Sequence, residues 1–127
     1  MELIRAGQIQ VFSNSGVRSR QLLFPENSAS TRLTITRVTV KPGARNPPHR
    51  HPASEQVWVA LRGRGRLLLD AGRFEPFAEG DVVRFADGEL HGFENTGEAE
   101  FEYLSVTAPP INFRSTYERS WSGEPKA

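Results

Sequence analysis

Over windows of about eleven residues, no stretch of this chain sustains a helical period. Its apolar positions come instead in short runs cut by glycine, proline and Asp/Asn/Ser clusters. A chain punctuated in this way buries a core by laying strands on strands, which predicts an all-β barrel or sandwich. Residues 32–40, rich in β-branched side chains, form the clearest strand, and Lys41-Pro42-Gly43 ends it. Before it, residues 2–12 alternate weakly up to a turn at 13–16, and residues 21–24 stop at Pro25. After it, residues 67–77 read as a hairpin turning at 70–72, with a further turn at 79–81 and a strand at 81–85. Residues 100–106 alternate charged with apolar positions, as a half-exposed strand does, until Pro109-Pro110.

The chain has three histidines, His49, His51 and His91. In extended backbone alternate side chains share a face, so His49 and His51 point the same way, and neutral imidazoles on one face converge on one divalent ion. One histidine in a strand is more often structural than a ligand. Three at spaced positions, with none elsewhere, make a metal constellation the stronger reading. Glu55 and Gln56 follow closely enough to add a fourth donor.

Two segments carry a resemblance. Gly43, His49, His51, Glu55 or Gln56, and Gly63 match one motif of the cupin superfamily, while Gly80, Gly88, His91 and Asn95 match the other. Ala86 stands where the second motif has proline, which is expected to loosen a turn without touching a ligand. The chain thus resembles small RmlC-like cupins over about residues 32–107. The resemblance implies a double-stranded β-helix, or jelly-roll barrel, in a single domain spanning 1–127, with N-terminal strands in 1–31 and a tail at 108–127. It also implies one divalent transition metal ion held by His49, His51, His91 and a fourth ligand, and a homodimer paired through the N-terminal strands. Manganese, iron, cobalt, nickel, copper and zinc all suit such donors.

The fourth ligand is open. Counting from His51 reaches Glu55, and counting back from Gly63 reaches Gln56. Glu55 shares its strand face with Val57, Val59 and Leu61, an aliphatic set that looks like a core face. Gln56 shares its face with Trp58 and Ala60, which fits the family alignment, with Trp58 lining the pocket. Gln56 is preferred as ligand, with Glu55 the alternative ligand or a general base at the rim. Phe93, on the face of His91, is a second expected pocket wall.

Three imidazoles and an amide leave the charge of a divalent ion uncompensated, which favours Lewis-acid chemistry on a small oxygenated molecule. By family likeness this implies an isomerase, cyclase or lyase acting on a sugar-derived or keto acid. The alternatives are an Fe(II)-dependent dioxygenase and a non-catalytic small-ligand-binding or sensing protein. Arg37, Arg45 and Arg84 carry guanidinium forks suited to a carboxylate but are assigned to the surface.

Composition narrows the partners. Sixteen basic against fifteen acidic residues give a formal charge of +1, which offers no field for nucleic acid or an anionic membrane. The run Arg62-Gly63-Arg64-Gly65-Arg66 is read as a turn between strands. With no cysteine, no apolar run of signal-peptide length and no candidate span, a cytoplasmic protein is expected. Ile111, Phe113, Tyr117 and Trp121 are anchors in the tail, expected chiefly to dock it on the barrel mouth, a sheet edge or a partner.

Overall fold

The computed structural model describes residues 1–121, and these form two antiparallel sheets. The strands are β1 (Gln10–Asn14), β2 (Val17–Leu23), β3 (Thr34–Val40), β4 (Arg45–His49) and β5 (Glu55–Arg62). They continue with β6 (Arg64–Leu68), β7 (Phe74–Ala78), β8 (Val82–Phe85), β9 (His91–Glu94) and β10 (Phe101–Ala108), before a one-turn helix α1 (Arg114–Glu118). One sheet runs β1-β2-β3-β10-β5-β8 and the other β4-β9-β6-β7, the double-stranded β-helix expected from the motifs. The four motif glycines, Gly43, Gly63, Gly80 and Gly88, all hold left-handed φ between the strands, a conformation that disfavours a Cβ.

Two local readings change. The weak alternation of residues 2–12 is not one strand, because a 3₁₀ turn at Ala6–Gln8 occupies its middle and pairing begins only at Gln10. The arginine-glycine run turns only at Gly63. Arg64 and Arg66 already belong to β6, where Arg66 pairs with Glu94 and lies over the Phe74 ring. β10, the half-exposed strand of residues 100–106, lies between β3 and β5, with Leu104 and Val106 half-buried on its outer face. Its Glu102 is buried on the outer face, paired with Arg37 and 3.9 Å from Arg62.

The barrel interior divides along the strands. Towards its closed end Trp58, Phe77, Phe93, Phe101 and Tyr103 interlock, with ring centroids 4.1 Å apart for Phe93–Phe101 and 4.3 Å for Trp58–Tyr103. Gly65 is obligatory there, because a Cβ would stand 2.3 Å from Phe93 Cζ. Towards the mouth the same sheet turns polar: Gln21 pairs with Thr36, Thr36 with Ser105, Thr34 with Thr107 and Thr107 with Gln56, all buried.

The tail crosses that mouth. Phe113 and Tyr117 are buried, the Tyr117 ring lies 6.2 Å from Phe12 and 4.8 Å from Trp121, and Asn14 clamps the segment. Asn14 Nδ2 donates to the carbonyls of Tyr117 and Arg119, and its Oδ1 accepts from Trp121 N. Residues 122–127 of the expected tail lie outside the described residues.

Candidate metal centre

His49 ends β4 and His91 begins β9, and the two are register partners. His51 lies just past β4, where the His51 carbonyl accepts from Gly88 N at 2.9 Å and Ser54 N at 3.4 Å. The ring centroids are 4.5 Å apart for His49–His91, 4.8 Å for His49–His51 and 5.2 Å for His51–His91. One nitrogen from each lies within 4.8 Å of the others, close enough for all three to serve a single ion.

The tautomers follow from the backbone. His49 Nδ1 is 2.7 Å from the Pro47 carbonyl and His91 Nδ1 2.8 Å from the Glu89 carbonyl. A carbonyl only accepts, so Nδ1 carries the proton in each ring and Nε2 is left as a lone pair. Burial lowers all three pKa values. His51 falls to about 4 through desolvation and then the nearby His49, and His91 to about 3 through desolvation and then His49. His49 falls as well, again through burial, against a hydrogen bond to Pro47 that raises it. At neutral pH the cluster is three uncharged donors.

Gln56 completes it. Its Nε2 donates to Thr107 Oγ1 and its Oε1 accepts from the Trp58 indole, each at 2.8 Å. Because an indole N–H can only donate, this fixes the amide orientation. Oε1 therefore faces His91 Nε2 at 3.0 Å, acceptor against acceptor. His51 Nε2 is buried with no hydrogen-bond partner among the described residues. Two opposed lone pairs and an orphaned imidazole nitrogen are what a cation would reconcile, so the donor set fits a divalent ion.

Glu55 points the other way. Its carboxylate takes Arg84 Nε at 2.7 Å on the outer face of the sheet, outside the cluster. Of the two expected walls, Trp58 lines the cavity. Phe93 does not: its parity with His91 sends it towards the closed end, stacked on Phe101. Arg37 and Arg84 are spent on Glu102 and Glu55, and Arg45 is exposed.

The cavity beside the cluster is about 40 Å³, room for roughly three waters. His49, His51 and Gln56 form one wall; Ser19, Thr36 and Ser105 lie on the inner face of the six-stranded sheet; Phe113, Thr116, Tyr117 and Trp121 come from the tail. Phe113 meets the His51 ring edge-on at 5.5 Å. No lysine, arginine, aspartate or glutamate lines this cavity among the described residues.

A match to the Cupin domain family spans residues 36–107, from within β3 to near the end of β10. The chain belongs to the cupin family. Among its relatives, this cupin is 31% identical over 90 residues to an oxalate-binding protein of Thermotoga maritima, covering 71% of this chain and 74% of that one. The solved structure of a predicted oxalate decarboxylase from Thermotoga maritima superposes with a TM-score of 0.71 at 26% identity, over 84% of this chain and 98% of that one. A polyketide cyclase from Streptomyces resistomycificus does so with a TM-score of 0.70 at 25% identity, over 93% and 91%.

The cupin's departure from its motif at Ala86 does not loosen the turn. Ala86 N donates to Glu89 Oε1 at 2.9 Å, a bond proline could not make, and Glu89 N returns to the Ala86 carbonyl at 3.0 Å. That turn holds the carbonyl on which His91 rests. Gly92 is fixed by close approach: a Cβ would stand 2.7 Å from the Asn46 carbonyl oxygen and 2.8 Å from Pro48 N, in the strand that carries His49. Sequence reasoning missed Thr36 and Ser105 as site residues. The signal was present, since Thr34 and Thr36 share the parity of the inward Val38 and Val40.

Proposed function

We propose that this cupin is a divalent-metal enzyme acting on a small oxygenated organic acid, of isomerase, cyclase or lyase type. The observation that carries this reading is a donor set without a carboxylate, His49, His51, His91 and Gln56, set beside a small cavity with hydroxyls on its opposite wall. When bound, the ion would supply Lewis acidity towards a carboxylate or carbonyl oxygen. The chain's own part is to hold four neutral donors, exclude bulk water with the tail, and present hydroxyl donors from the opposite wall. Burial holds the Tyr103 phenol well above its ordinary range, so it remains a hydrogen-bond donor at neutral pH.

A second reading, binding without turnover, is favoured by the name of the oxalate-binding relative and by the lack of a carboxylate or amine base in the cavity. Metal analysis followed by anaerobic and aerobic incubation with oxalate and short oxo and hydroxy acids separates these. Product formed without O₂ supports the enzyme. Thermal stabilisation with no product supports the binder, O₂ uptake with Fe(II) supports a dioxygenase, and failure to take up any metal removes both enzyme readings and leaves the binder.

We further propose a cytoplasmic homodimer. A cysteine-free chain suits a reducing compartment, and the outer face of the six-stranded sheet supports self-association. Val11 and Val82 are exposed at either end of its outer row, with Arg20, Arg37, Leu104 and Val59 between them.

A further inference from the structure

The wall of the cavity opposite the histidines says what the bound molecule must look like. Strand register sets Thr36 beside Ser105, and Ser105 beside Trp58, in one row across β3, β10 and β5. Neither the Thr36 nor the Ser105 hydroxyl makes a side-chain hydrogen bond within the described residues, although both residues are at least 96% buried and line the same cavity as His49, His51 and Gln56. Of the neighbouring polar groups, Ser19 Oγ accepts from Gln21 Nε2 at 2.9 Å and Asn46 Nδ2 donates to Tyr103 Oη at 3.0 Å, while Gln21 Oε1, on the residue paired with Thr36, is buried without a partner among the described residues. Tyr103 accepts in that bond, so its own O–H is available to the cavity as well. A buried sheet face normally carries apolar side chains, so two hydroxyls without protein partners that face the cavity are placed to hydrogen-bond whatever occupies it.

We infer that Thr36, Ser105 and Tyr103 form a specificity subsite for a short-chain monocarboxylate bearing a neutral oxygen, such as a 2-hydroxy or 2-oxo acid. The inference rests on the proposed metal-dependent reading and narrows its substrate. Among the described residues no basic side chain lines the cavity, so an ion held at the histidine wall would supply its positive charge, and one anionic group is accommodated there. A second carboxylate or a phosphate at the far end would meet hydroxyls alone and remain buried without a countercharge. A carbonyl or hydroxyl oxygen suits those donors. Size acts in the same direction: with Phe113 and Trp121 at the mouth, space for roughly three waters suits a short acid better than a six-carbon sugar acid.

The test uses the full chain loaded with Mn(II) or Ni(II), with ion content measured for every variant, and calorimetric titration of lactate, pyruvate, succinate and gluconate. Lactate and pyruvate bind, while succinate and gluconate do not. Thr36→Val and Ser105→Ala each weaken lactate about three- to tenfold at unchanged metal content, and Thr36→Ser restores affinity. A wild-type chain that takes up no ion overturns the metal-dependent reading itself. Full loading with lactate affinity unchanged in Thr36→Val and Ser105→Ala overturns the subsite alone. Full loading without lactate or pyruvate binding, or with succinate or gluconate bound equally well, overturns the substrate class.

Discussion

Gln56 is the residue on which the centre turns, because three different demands meet at its side chain. The indole of Trp58 fixes its oxygen, Thr107 fixes its nitrogen, and the oxygen is thereby aimed at His91. Gln56→Leu is expected to lower metal affinity at least tenfold, measured by competition with a chromogenic chelator, because second and first neighbours of the ion lose their orientation together. Glu55→Ala should leave affinity unchanged and alter stability by no more than about 0.5 kcal/mol, since its pair with Arg84 is largely solvated. Equal losses in the two variants would return Glu55 to the site. Protons provide a second residue-scale test. In the unfolded chain the histidines titrate near the ordinary 6.5, whereas in the folded metal-free protein His51 and His91 wait until about 4 and 3. Between those limits the unfolded state binds more protons, so stability is complete above pH 6.5 and is lost as pH falls towards 4. The melting temperature of metal-free protein should therefore drop between pH 7 and 4.5, and His51→Gln with His91→Gln should flatten the drop. An unchanged slope in that double variant would assign the acid sensitivity to other groups.

At the scale of elements, the tail and the short β4 decide how the cavity is shaped. Asn14, buried at the β1–β2 hairpin, receives Tyr117, Arg119 and Trp121 of the tail. Asn14→Ala should raise hydrogen exchange across residues 114–121 while the β10 amides stay protected, and cost about 1–3 kcal/mol if the tail and barrel melt together. Gly92→Ala pushes against the backbone at Asn46 and Pro48, so it should displace His49 and weaken metal binding more than it lowers the melting temperature. These elements also mark what the sequence could convey. Period-two alternation placed β3, β5 and β10 and the inward set Gln56, Trp58 and Ala60, because burial of one face imposes that period. It could not separate Glu55 from Gln56 unaided, since the turn at 52–54 breaks the parity carried from His51. It also sent Phe93 to the pocket, because parity tells inward from outward but not mouth from closed end. The docking of Phe113 and Trp121 over the histidines depends on contacts about a hundred residues apart in the chain, such as Asn14 to Tyr117, which local pattern does not encode.

For the molecule as a whole, the two faces of the six-stranded sheet have opposite characters. Its inner face towards the mouth is hydroxylated, and its outer face carries Ile35, Val57, Val59, Leu104 and Val106 half-buried between the Arg37–Glu102 and Arg84–Glu55 pairs, with Val82 exposed at β8 and Leu61 at the end of β5. A second copy laid on this face would bury that band, and equilibrium sedimentation is expected to report a dimer at micromolar concentration. Leu61→Glu combined with Val82→Glu should shift it to monomer with the metal content intact. A wild-type monomer would leave the apolar face without the partner proposed for it.

The imidazole tethers bear on how such a protein can change. His49 and His91 are each held by a main-chain carbonyl two positions back in their own segment, at Pro47 and Glu89. Main-chain atoms persist whatever side chains surround them. The orientations of His49 and His91 therefore tolerate rewriting of Thr36, Ser105 or Trp121, which belong to other strands and to the tail. In an engineering setting the barrel offers two separately editable parts, a pair of backbone-tethered imidazoles and the hydroxyl-bearing wall opposite them.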